Sequence, residues 1–264
     1  MTDLAGAGGA PRPTTEQARR AVVAAHHRRG VRATAEYMVG ATWYIGVWFW
    51  AIALAVGGII VAAQSRAGDV DVSALNGPAG SAKFFLFVMG IVLPLTLVVV
   101  HLASGGTRRS FLHGTVAGAA VVGVTFGLVA ALLAWAERWL YDRLGWQTAW
   151  PHGQLYDDGS QFGLVLLVQT VFCVVYYLSG TTIALGYYRT GGWLGTALLP
   201  LALVPVALSE LVLQSGFFGE AFARALGLDG TSAWLGLAGG VVAAALAVVL
   251  LHRFVRDVPL RAVD

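Results

Sequence analysis

The chain has 264 residues, 57% of them hydrophobic and only 12% charged, with a mean hydropathy of +0.71 and a formal net charge of +3. Soluble domains carry about 25% charged residues, so the composition excludes an ordinary soluble domain and implies an all-α polytopic membrane protein. The single cysteine, Cys173, lies inside an apolar run and excludes a disulfide framework or a Cys-rich zinc site within one chain.

Residues 1–13, rich in Gly, Ala and Pro, read as a disordered start without the apolar core of a cleavable signal peptide. Thr14-Thr-Glu-Gln17 offers a capping box for a helix running to about Arg29. Ala18, Ala21, Val22 and Ala25 form a weak apolar stripe beside Arg19, Arg20, Arg28 and Arg29, so residues 14–36 are expected as a cytoplasmic interfacial helix. About 20 apolar residues cross the hydrocarbon core as a helix. Six runs qualify, at about 41–63, 84–103, 115–136, 162–185, 194–213 and 234–251, within a transmembrane domain of 37–256. Trp43, Tyr44, Trp48 and Trp50 near the start of the first run suggest an interfacial belt. Pro200 and Pro205 predict bends in the fifth run, tolerated inside a membrane.

Between the runs, residues 64–83 with Asn76-Gly-Pro78 read as a loop, and 137–161 with Trp139, Trp146, Trp150 and Pro151 as a partly surface-bound connection. Residues 214–232 have helical apolar spacing at Phe217, Phe218, Ala221, Phe222, Ala225 and Leu226, which suits either a helix dipping back toward the membrane or a plain surface helix. Residues 257–264 form a tail. Small residues four apart, Gly114 with Gly118, Gly123 with Gly127 and Gly236 with Gly240, predict close helix packing.

Six crossings put both termini on one side. That side collects twelve arginines, among them Arg108, Arg109, Arg189, Arg253 and Arg256, against five basic residues opposite: Arg66, Lys83, Arg138, Arg143 and Arg224. The positive-inside rule then predicts a plasma-membrane protein with both termini cytoplasmic. It also places the turn Ser104-Gly-Gly-Thr-Arg-Arg-Ser-Phe-Leu-His-Gly114 on the cytoplasmic face. Charge sidedness accounts for the arginines of this turn but not for its tight Gly-Gly-Thr setting.

Catalytic chemistry finds no foothold. Lys83 is the only lysine, and Gly77-Pro-Ala-Gly-Ser-Ala-Lys-Phe84 fails the P-loop spacing and lacks its final hydroxyl. No metal or protease motif is present; Glu137 stands beside Arg138 at a run end, and His101 and Ser104 have no acid partner in sequence. No catalytic residue, metal, cofactor or nucleic-acid partner is expected. Glu210, in the last turn of the fifth run with Gln214 just beyond, is costly at membrane depth unless it faces a wet cavity or a partner. It is expected either to line a pathway or to cap the helix. Gln169 and Thr170 are expected to form interhelical hydrogen bonds, and His101 to snorkel.

The six runs, the basic segment before the first, the compact turn between the second and third, and the helical segment before the sixth resemble ABC-2-type transporter permeases. The turn is similar to the Gly-x-Thr-Arg-Arg-x-Phe segment of actinobacterial members. The resemblance implies a half-size membrane subunit of an ABC exporter that forms a homodimer or heterodimer with a second permease subunit in the lipid bilayer and pairs with a separate ATPase. It also implies that Gly105, Gly106, Thr107, Arg108, Arg109 and Phe111 form the ATPase-coupling turn, with Thr107, Arg108, Arg109 and Phe111 as its contacts. Gly186-Tyr-Tyr-Arg189 looks like the family's second inner turn, with Tyr188 and Arg189 at its exit. The competing class is a non-transporting six-span protein: an immunity, sensor or assembly factor.

Overall fold

The computed structural model describes residues 15–67, 73–146, 155–156, 159–214, 225, 227 and 232–256. The expectations for 1–13, for most of 214–232 and for 257–264 lie outside the described residues. Within them the chain is helical: α1 (Thr15–Ala67), the short α2 (Asn76–Gly80), α3 (Ala82–Ala103), α4 (Arg108–Leu144), α5 (Phe162–Val212) and α6 (Ala233–Arg256). Five of these, all but α2, are long and apolar enough to cross a membrane.

The first departure from the sequence reading is α1. The basic segment and the first apolar run form one unbroken helix of 53 residues, about 80 Å at 1.5 Å per residue. Nothing between Arg29 and Ala41 stops it: only Gly30 and Gly40 interrupt a run of helix-compatible residues, and an isolated glycine weakens a helix without ending it. The expected Trp belt also divides. Trp50 is buried, and Trp43 is half-buried with its indole N–H donating to Thr125 Oγ1 at 3.0 Å. Tyr44 and Trp48 point outward. The 3.6-residue period makes this division, since 43, 46 and 50 share the face that meets α4. There Trp43, Phe49, Trp50, Phe85 and Phe126 form an aromatic cluster, with Trp43 and Phe126 at 4.7 Å and Phe49 stacked on Phe85 at 4.7 Å.

α5 carries two of the apolar runs read from sequence, 162–185 and 194–213, in 51 residues that reverse on themselves. Gly191, with φ 80° and ψ −176°, breaks the helix. Tyr176 Oη donates to Glu210 Oε1 at 2.6 Å although 34 residues separate them. In a straight helix they would be about 51 Å apart. The limbs before and after Gly191 therefore lie antiparallel, closed near the reversal by a 2.9 Å contact between Tyr187 Oη and Thr196 Oγ1.

α5 packs against α3, α4 and α6, while α1 packs mainly on α4. The small-residue pairs serve different neighbours. Gly114 and Gly118 face Thr34, Ala35 and Met38 of α1, whereas Gly123 and Gly127 face Thr170 and Val174 of α5. One further close approach has no pair in sequence: Gly90 of α3 and Gly180 of α5 meet the backbone carbonyls of Tyr177 and Phe87. Away from the reversal, Glu137 of α4 ties down the start of α2. It accepts from Ser73 Oγ at 2.6 Å and from the Ala74 and Leu75 amides at 2.8 and 3.1 Å.

Candidate functional site

The turn between α3 and α4 is built by its glycines. Ser104 ends α3, and Gly105 takes φ +87°, a conformation that L side chains rarely adopt. The Gly106 amide donates to the His101 carbonyl at 2.8 Å and the Gly105 amide to Leu102 at 3.1 Å, the double closure of a Schellman ending. Gly106 is needed for a different reason: a Cβ there would collide with the His101 ring and carbonyl. The chain then extends at Thr107 (φ −100°, ψ 151°), which caps α4. The Ser110 amide donates to Thr107 Oγ1 at 3.0 Å and the Thr107 amide to Ser110 Oγ at 3.1 Å, a reciprocal capping box.

His101 holds this frame to the bundle. Its Nε2 lies 2.9 Å from Ser110 Oγ and its Nδ1 3.2 Å from Thr34 Oγ1, so one buried ring joins α1, α3 and α4. It does not snorkel outward. Sequence reasoning missed this role; the signal was its spacing of nine from Ser110 across a turn too short to separate them.

Arg108 and Arg109 stand exposed on the first turn of α4. Phe111, expected as a contact residue, is a correction: it is fully buried, its ring centroid 5.8 Å from that of His101. Ser110 and Phe111 are the residues of this first turn that enter the bundle, while Arg108 and Arg109 stay at its surface. The turn is also bracketed by α1. His26 Nε2 lies 3.2 Å from the Gly105 carbonyl, and His27 Nε2 lies 3.2 Å from His113 Nδ1, with the rings edge to face. Burial, and then the neighbouring His27, Arg109 and His252, hold His113 below the ordinary imidazole range. A groove of about 1250 Å³ opens here, lined by Arg19, Arg20, Val22, His26, Thr107 and Arg109 among others.

The reversal of α5 and the end of α6 lie at the same end of the bundle, where Gly186 packs on Phe254. Tyr188 and Arg189 are half-buried in the last turn before Gly191. The outward-facing residue here is one the sequence reading passed over: Trp193, 91% exposed, just after the Gly191-Gly192 break.

Glu210 and Gln214 sit at the opposite end, both buried. The Glu210 carboxylate is not open. It accepts from Lys83 Nζ at 2.5 Å and from Tyr176 Oη at 2.6 Å. Lys83, read from sequence as the end of a surface loop, lies in the first turn of α3 and is 6% exposed. The signal was available: the only lysine abuts an apolar run, and a carboxylate ends another, each needing a partner at membrane depth. Gln214 follows the end of α5 with φ 49°. Gln169 Nε2 donates to Tyr156 Oη at 3.4 Å, a weak bond to a connection rather than to another helix.

No family model, curated protein or solved structure matches this chain.

Proposed function

We propose that the chain is the membrane-spanning permease subunit of an ABC exporter, crossing the bilayer six times with both ends cytoplasmic. The two limbs of α5 count as the fourth and fifth crossings. It works as a homodimer or heterodimer with a second permease subunit and is driven by a separate ATPase that docks on the α3–α4 turn. The observation that carries this reading is the exposed Arg108–Arg109 pair on a hydrogen-bonded frame. Positive charge at a helix N-terminus opposes the macrodipole, so these arginines do not serve the stability of α4. A guanidinium pair held in place by a Schellman ending, a capping box and His101 is suited to carboxylates of a partner. A rigid connection from that frame into α1, α3 and α4 supplies what a coupling element needs: a push on the turn moves helices.

With Phe111 spent inside the bundle, the docking surface consists of Thr107, Arg108 and Arg109, with Trp193 of the α5 reversal as the aromatic anchor. Replacement of both arginines by glutamate is expected to release a co-purifying ATPase while membrane insertion and yield stay unchanged. If the unmodified chain never retains an ATPase from its own cell, the permease reading fails. A C-terminal tag that stays protease-protected in intact cells checks the six-crossing topology.

A further inference from the structure

The Lys83–Glu210 pair is more than two opposite charges. Three aromatic rings surround the ammonium: Phe172 at 4.4 Å, Phe84 at 5.3 Å and Tyr176 at 5.4 Å from Nζ. The Tyr176 hydroxyl donates to the same Glu210 oxygen that accepts from Lys83, so the carboxylate is aimed into the box by a second helix limb. A carboxylate behind aromatic faces is the chemistry that recognises alkylated ammonium groups. Here a side chain of the protein itself fills it.

Two features mark Lys83 as a replaceable occupant. It sits in the first turn of α3, where a cation opposes the helix dipole, so its position does not serve α3. Its long stem starts at a helix end, from which lysines reach outward to water readily. The box is also thinly walled. Phe84 is both one of its rings and 56% exposed on the exterior of the bundle, edge-on to Tyr176 at 5.5 Å. That one side chain thus reaches from the box to the exterior.

We infer that Glu210, Tyr176, Phe172 and Phe84 form a binding site for an organic ammonium group, such as the head of a cationic amphiphile, with Lys83 as a built-in competitor that leaves when the ligand enters. This goes beyond the coupling proposed above and does not need the ATPase.

Lys83 is the only lysine, so labelling by an amine-reactive ester, read on the peptide that carries residue 83, reports its exposure alone. The probe is choline, which the ester does not modify by amine chemistry, added to the detergent-solubilised full chain. Its uncharged carbon isostere and sodium chloride at equal ionic strength are the controls. Choline is expected to raise Lys83 labelling several-fold and saturably, while neither control does. The E210Q chain is expected to label rapidly without choline and to ignore it. Protection of Lys83 that choline leaves unchanged, while E210Q labels freely, makes the pair a fixed structural tie and overturns the inference. An equal response to the isostere means general loosening and overturns it too, as does an E210Q chain whose lysine stays protected. Folding of E210Q is checked by gel filtration; should it aggregate, Lys83→Ala takes its place. Choline must then raise the melting temperature of K83A but not that of K83A/E210Q, and equal shifts in both reject the site.

Discussion

The two ends of α3 handle polar chemistry in opposite ways. At its C-terminal end a buried ring, His101, organises a frame, and the charges of Arg108 and Arg109 are left outside in contact with solvent. At its N-terminal end the charges themselves are inside, Lys83 against Glu210, with aromatic rings in place of water. An exposed charge costs its helix little. A buried charge is tolerable only while its counter-charge stays, because desolvation of either ion costs several kcal/mol. One end is therefore robust to loss of charge and fragile to loss of shape, and the other is the reverse.

The sharpest way to break this contrast is at the ion pair. Either K83M or E210Q alone is expected to destabilise the chain by about 3–5 kcal/mol, because a buried charge or its hydrogen-bond set is orphaned. The double change K83M/E210M is expected to recover most of that loss, as seen by denaturant titration in detergent. A double variant as unstable as either single one would show that the pair contributes more than mutual compensation. At the other end, shape comes next. Gly106→Ala drives a methyl group into His101 and is expected to cost about 1–3 kcal/mol, the range of overpacked sites. Thr107→Ala removes one half of the capping box and should cost about 1 kcal/mol. The charge change R108E/R109E, by contrast, is expected to stay within about 0.5 kcal/mol in the same assay.

The smallest effect concerns pH. His113 has its folded-state pKa below the unfolded value of about 6.5. The unfolded chain therefore binds more protons in that window, and stability falls as pH drops through it. Protonation of His113 also makes its Nδ1 a donor, so the contact then requires His27 Nε2 to be the acceptor. Amide protection in residues 15–30 of α1, taken relative to the intrinsic exchange rate at each pH, should fall below about pH 6.5, and His113→Gln should flatten that dependence. Protection factors independent of pH would mean that the histidines do not hold α1 to the turn.

Much of the architecture was legible because lipid leaves few options. Runs of about 20 apolar residues read directly as helices, and the Gly-Gly-Thr turn at 105–107 was visible as a tight reversal with an arginine pair. The glycine pairs of α4 signalled close packing but not that each pair meets a different helix. The continuity of α1 was not legible, since a basic segment followed by an apolar one looks like two elements unless the absence of a stop signal is weighed. Nor was the inward turn of Phe111, because a single aromatic at a helix start has no periodic context to show which side is buried.

What the sequence determined by itself is the class of the molecule, the positions of its apolar runs and the local chemistry of its turns. These depend on composition and on residues a few positions apart, where backbone geometry sets what can meet. Tertiary structure alone decided the pairings: Lys83 with Glu210 across 127 residues, His101 with Thr34 across 67, and Tyr176 with Glu210 across the Gly191 reversal. Each is a contact between helices whose relative rotation no local pattern encodes. In a membrane those contacts are where buried polar groups must find each other, because no water is there to take their place.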